Sequence, residues 1–98
     1  MDRQTVIDRV RSHEAELRAR GIARMALFGS VARADATANS DVDLVVELKD
    51  TTNFSLIAQA SVRSALEEWL GVPTDVLIWE DLDQPFRDRI AADRVEIF

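Results

Sequence analysis

The chain has 98 residues, 12 basic and 18 acidic side chains for a net charge of −6, and no cysteine. That length suits one domain over 1–98 and not two. The acidic balance argues against a broad nucleic-acid-binding face, and the missing thiols remove disulfides, zinc–thiolate sites and a cysteine nucleophile.

Residues 3–20 predict one amphipathic helix, with Val6, Val10 and Leu17 on its apolar side, Ile7 nearby and charged residues elsewhere. His13 falls among those charges and reads as surface. Gly21 stops the helix. Residues 22–28, IARMALF, predict a first strand, which Gly29-Ser30 breaks. Ser30 suits the N-cap of a single helical turn through Arg33. Residues 34–40 are small and polar and predict a mobile loop. Residues 41–48 predict a second strand, and residues 49–53 a polar connection. Residues 54–70 predict the longest helix, with an apolar stripe of Phe54, Ile57, Ala58, Ala65, Leu66, Trp69 and Leu70. Gly71 and Pro73 end it. Residues 74–79 predict a third strand, 80–84 a turn, 85–92 a short helix with Pro in its first turn, and 95–98 a last short strand. This order gives an α+β domain, α/β-like, with a small mixed sheet flanked by helices. The two tryptophans, Trp69 and Trp79, read as core or interface. The N-terminus is charged from its second residue, and no apolar run approaches the ~20 residues that span a bilayer. The expected setting is the cytoplasm, with no membrane partner.

The second strand, DVDLVVEL, is apolar except for its acids. Side chains alternate along a strand, so Asp41 and Asp43 share a face, with Cα atoms about 7 Å apart. Aspartate is depleted in strands. Two carboxylates this close raise each other's pKa unless a cation lies between them. The chemistry that wants such a pair is divalent metal binding, one or two Mg²⁺ ions shared by both acids. Asp75 is a lone acid at the start of the third strand. Beside the second strand it completes a carboxylate triad, placed to orient a nucleophile and accept its proton. Gly29 lets a phosphate approach the backbone, Ser30 adds a hydroxyl donor, and Arg33, one turn on, can reach a phosphate oxygen. Blander readings stand beside these: a solvated strand face for Asp41 and Asp43, an edge position for Asp75, a plain turn for Gly29-Ser30, and a solvated surface arginine for Arg33. Glu47 shares the parity of Asp43 but lies at the strand's end.

The run GSVAR at 29–33, followed by SDVDLVV at 40–46 and VPTDVL at 72–77, resembles the signature of the DNA-polymerase-β-like nucleotidyltransferases. The GSxAR and SDxDL forms are similar to the minimal MNT branch, and the resemblance covers nearly the whole chain. It implies the polymerase β-like nucleotidyltransferase fold, ATP as substrate, Mg²⁺ (two ions), and transfer of AMP with release of pyrophosphate. Gly29 and Ser30 match the triphosphate turn, Asp41 and Asp43 the metal ligands, and Asp75 the third acid. The branch further implies an antitoxin whose partner is a HEPN ribonuclease toxin, inactivated by AMP transfer to a tyrosine. Where the family often has Gly after the Ala-Arg pair, this chain has Ala34. Larger members carry further helices around the base and acceptor, so a partner protein or a second copy is expected to supply those walls. The competing expectations are a non-catalytic module that blocks the toxin by binding it, and transfer to a small-molecule acceptor.

Overall fold

Ile22–Phe28 (β1), Val42–Leu48 (β2), Thr74–Ile78 (β3) and Val95–Glu96 (β4) form one sheet in the order β3-β2-β1-β4. The computed structural model describes residues 1–37 and 39–98; Ala38, in the expected loop, lies outside the described residues. β1 is antiparallel to β2 and to β4, whereas β2 and β3 are parallel. A parallel pair needs a crossover, and the helix Leu56–Leu70 supplies it. The sheet is mixed and flanked by helices, as the residue pattern predicts.

Alternation along the strands sorts the interior into two unequal cores. Met25, Leu27, Leu44, Val46 and Val76 face the large one, beneath the helices Arg3–Arg11 (α1), Glu14–Ala19 (α2) and Leu56–Leu70. Ala26, Val45 and Leu77 face the small one, which is closed by Ile90 and Phe86 of the helix Gln84–Asp93. With both faces covered, Val42, Leu44, Val45 and Val46 are all at most 1% exposed. This explains the unbroken apolar run in β2. The small core covers only the middle of its face. At one end Arg94 donates to Glu47 at 2.6 Å and to Glu96 at 2.5 Å, with its guanidinium over the Trp79 ring. Glu47 is thus neutralised there and adds nothing to an acidic site. The other end carries Phe28, Asp43 and Asp75.

Several expectations shift. The helix over 3–20 is two helices, α1 and α2. Ser12 Oγ donates to the Arg9 carbonyl at 2.6 Å, and a side chain that bonds its own backbone competes with helix continuation. The break turns His13 onto Trp69, ring centroids 3.7 Å apart and interplanar angle 2°, so His13 is half-buried rather than on the surface. The long helix, Leu56–Leu70, which the crossover makes, starts after Ser55, whose Oγ accepts from Ala58 N–H at 3.1 Å. Its buried face is Val62, Leu66 and Leu70. Phe54 precedes the helix in extended backbone, so a stripe phased from it misplaces Ile57. Five residues before Val62, Ile57 is turned about 140° away from it, and it is 83% exposed.

The turn after β1, Gly29–Ala32 (α3), begins at Gly29, so Ser30 lies inside it rather than capping it. Arg3 Nη1 ties α1 to it through the Ala32 carbonyl at 2.9 Å. It ends with Asp35 N–H on the Ser30 carbonyl at 3.0 Å and Ala34 N–H on the Val31 carbonyl at 3.2 Å. This double closure requires a left-handed residue, usually Gly, and Ala34 occupies it at φ 63°. Ala→Gly there relieves about 1–2 kcal/mol of left-handed strain against about 0.4–1 kcal/mol of added unfolded-state entropy. The balance is about 0–1.6 kcal/mol, so Ala34→Gly is expected not to lower the thermal midpoint and to raise it by up to about 10 °C. A lower midpoint in a melting curve contradicts this reading of the turn.

Candidate active site

Asp43 stands between Phe28 of β1 and Asp75 of β3, in register with both. Asp41 lies one residue before β2 and is exposed; the strand's start is pinned by Val42 N–H on the Pro73 carbonyl at 3.1 Å. The predicted juxtaposition of the second and third strands is therefore present, and it brings the three acids to one end of the sheet. Asp43 is half-buried and Asp75 exposed. Burial, then the charges of Asp75 and Asp41, push the Asp43 carboxyl above the usual aspartate value, and Arg33 offsets part of this.

Gly29 makes room for that carboxylate. Its φ is 74°, and a Cβ at this position would overlap Asp43 Oδ2 and lie 3.1 Å from Asp43 Cγ and 3.3 Å from its Cβ. The glycine and the acid, 14 positions apart in sequence, are packed against each other. A spacing that looks like turn chemistry in the sequence is a steric requirement of the site.

Two clefts meet at Asp43. One, about 570 Å³, is lined by Asp75, Gln59, Arg63 and Glu67 among others. The second, about 590 Å³, is lined by Gly29, Ser30, Arg33, Arg89 and Asp93 among others. Phe28, Asp43 and Phe86 belong to both and form the ridge between them. Each is of the size that takes a small-molecule ligand. Arg33 reaches the second cleft, but its guanidinium is already bound by Asp93 at 2.9 Å and Asp35 at 3.1 Å.

Among the described residues no three His, Cys, Asp or Glu side chains converge tightly enough to grip a metal ion between them. Mg²⁺ does not need such a cage; it is typically held by one or two carboxylates, substrate phosphates and water. The mutual repulsion of Asp43, Asp75 and Asp41, all hard oxygen donors, fits a divalent cation of that kind.

Reading the sequence missed the cleft-lining residues on the helices. Phe86, Arg89, Ile90 and Asp93 recur at i, i+3, i+4 and i+7, which puts them on one face of Gln84–Asp93 (α5). Gln59, Arg63 and Glu67 recur every four residues along Leu56–Leu70 (α4) in the same way, and Gln59 Nε2 is fixed to the Val76 carbonyl at 3.0 Å. Periodicity was the available signal; which face meets the acids depends on tertiary docking.

A four-stranded mixed sheet with a Gly-Ser turn and acids at one end is the polymerase β-like nucleotidyltransferase fold. The chain belongs to the nucleotidyltransferase domain family, whose model matches residues 10–97, and it is an enzyme of that class. It is 34% identical over 77 residues to a candidate protein adenylyltransferase of Methanocaldococcus jannaschii, covering 79% of this chain and 81% of the relative. It is 33% identical over 72 residues to protein adenylyltransferase MntA of Thermococcus cleftensis, covering 72% and 71%. A solved candidate minimal nucleotidyltransferase superposes with TM-score 0.82 at 30% identity, over 97% of this chain and 95% of the other. The same fold occurs in the complex of a tri-AMPylated Shewanella oneidensis HEPN toxin with an MNT antitoxin, TM-score 0.72 at 18% identity, over 97% and 71%. No helix among the described residues is long and apolar enough to cross a membrane.

Proposed function

We propose that this chain transfers AMP from ATP, with Mg²⁺, to a tyrosine hydroxyl of a HEPN ribonuclease toxin and so acts as its antitoxin. The observation that carries the reading is Asp43 on the ridge between two clefts, packed against Gly29 on one side and beside Asp75 on the other. The relatives named protein adenylyltransferase and the fold shared with an MNT antitoxin support the choice of nucleotide and partner.

In this reading the triphosphate lies against Gly29 and Ser30, within reach of Arg33, and the acceptor hydroxyl enters from the Asp75 side. Asp41 and Asp43, with Asp75, would hold Mg²⁺, together with phosphate oxygens and water, and the ion would supply positive charge beside the phosphates. Asp75 orients the hydroxyl and takes its proton. The hydroxyl oxygen bonds to the α-phosphorus in line, and the bond from that phosphorus to the bridging oxygen breaks, releasing pyrophosphate. The ridge of Phe28 and Phe86 separates the two reactants except at the acid.

The test is incubation of the chain, Mg²⁺ and a HEPN partner with ATP labelled at either the α- or the γ-phosphate. Label is expected on the partner from the α-position only. Label from the γ-position, or none from either, overturns the proposal.

One observation favours a second reading, a module that blocks its partner by binding. Leu56 and Ile57, each 83% exposed, lie side by side at the start of α4, with Leu56 on the rim of the Asp75 cleft. An Asp41→Asn/Asp43→Asn chain that still protects cells from the toxin supports that reading over catalysis.

A further inference from the structure

We infer that Arg89 is the side chain that neutralises the β- and γ-phosphates of the nucleotide; this rests on the nucleotide-site reading of the Gly29-Ser30 cleft. Two arginines line that cleft, Arg33 and Arg89. The sequence pattern favours Arg33, which follows the Gly-Ser turn directly. The structure reverses the preference. Arg33 is held by two carboxylates, Asp93 and Asp35. To meet a phosphate it must release charge-assisted bonds that it already has, so its net gain from an anionic ligand is small.

Arg89 is placed differently. Its i+4 neighbour on α5 is Asp93, the carboxylate positioned to bind it along the helix. Asp93 instead bonds Arg33 at 2.9 Å. Among the described residues Arg89 forms no ion pair, and its guanidinium lies over an apolar ring, its Cζ 5.5 Å from the Phe86 centroid. That ring is part of the ridge shared by both clefts. A guanidinium held over an aromatic ring with no carboxylate partner has N–H groups free for a bidentate phosphate contact. The Arg33–Asp93 pair thus has a positioning role: it occupies the i+4 carboxylate that would otherwise compete for Arg89.

The proposal also answers a problem of charge. The cleft already contains Asp43, and the chain as a whole is at −6. Arg33, shared between two acids, contributes little free positive charge. A triphosphate tail extending from Asp43 toward α5 needs a cation beyond any metal at the acids, and Arg89 is the unpaired one on that wall.

The test is calorimetric titration of the intact chain with ATP and with AMP, each with Mg²⁺. Arg89→Ala is expected to weaken ATP binding by about 10- to 100-fold and AMP binding less than twofold. Arg89→Lys retains part of the difference, because it keeps the charge and loses the fork. In an Asp93→Asn background, where Asp93 cannot capture Arg89, Arg33→Ala is expected to weaken ATP less than Arg89→Ala does. Asp93→Asn is expected to weaken neither nucleotide, since it frees Arg33 and removes a negative charge. Arg89 is exposed, so Arg89→Ala should keep the wild-type melting curve, which separates a binding loss from a folding loss. ATP affinity unchanged in Arg89→Ala, or equal losses for ATP and AMP, overturns the assignment while the nucleotide site stands. No binding of ATP by the wild-type chain overturns both.

Discussion

Asp43→Asn is expected to lower nucleotidyl transfer about 10³-fold or more and, in the absence of divalent cations, to make the chain more stable. In the proposed reading the loss follows from removing the carboxylate that both clefts share, the group that would hold a cation worth several kcal/mol to a phosphoryl transition state. The gain follows from the same charge. Burial, Asp75 and Asp41 raise the Asp43 pKa in the folded chain. A carboxyl with a raised folded pKa stabilises the fold while protonated, and that contribution is lost as pH rises through the folded value. At neutral pH the metal-free fold therefore carries the full cost of the ionised acid, and asparagine removes it. Solvent screening keeps the effect small, a rise of about 2 °C on the scale of a domain this size. The difference between variant and wild type should shrink as pH falls through the raised value and vanish below the ordinary aspartate range, where both side chains are neutral. It should also shrink on adding Mg²⁺, which relieves the repulsion in the wild type only. Melting curves across pH, with and without Mg²⁺, check each part. A variant less stable than wild type at neutral pH without metal contradicts the electrostatic reading of the site. This is the familiar trade of stability for activity, located at one atom group.

Gly29→Ala is the second large effect, and both of its causes are visible. The residue has φ 74°, and the new methyl group meets the Asp43 carboxylate. Left-handed backbone costs a non-glycine residue about 1–2 kcal/mol, and forced overpacking about 1–3 kcal/mol more. Against a total stability of about 5–15 kcal/mol, that is a drop of roughly 10 °C or more in the thermal midpoint. Activity should vanish with it, because the carboxylate has to leave its position between the clefts. A double-mutant cycle separates the two causes. In an Asp43→Ala background the carboxylate is gone, so Gly29→Ala should cost little beyond the backbone strain. Equal costs in the two backgrounds would show that the glycine and the acid do not constrain each other.

The four strands, their succession along the chain and the long helix between the second and third were legible in the sequence because apolar runs and Gly or Pro stops mark them directly. The acids were legible too: Asp41 and Asp43 stand out in an apolar strand, and Asp75 opens another. Parallel pairing of β2 with β3, which sets Asp75 beside Asp43, was a condition that pattern alone could not decide. Helix phase was less legible. Phe54 looks like the first turn of α4 yet precedes it, and the stripe counted from it put Ile57 inside. Contacts between distant residues were not legible at all. Nothing in a Gly-Ser dipeptide says that its missing Cβ is filled by Asp43 Oδ2, and nothing in GSVAR says that Arg33 will be taken by Asp93, 60 positions on. The first arises from the register of β1 on β2, which sets Phe28 opposite Asp43, and the second when α5 docks over the small core. The left-handed Ala34 is an intermediate case: the departure from Gly was visible in the sequence, and the backbone strain it implies required the turn.

The most direct measurement is the intact mass of a HEPN partner purified after coexpression with this chain. With the wild-type chain its mass should rise by one or more whole AMP units, localised by fragmentation to a tyrosine. With Asp43→Asn it should be unchanged, even though the variant chain is folded and at least as stable. A partner that stays unmodified beside the wild-type chain, or is modified equally beside the variant, contradicts a transferase centred on Asp43.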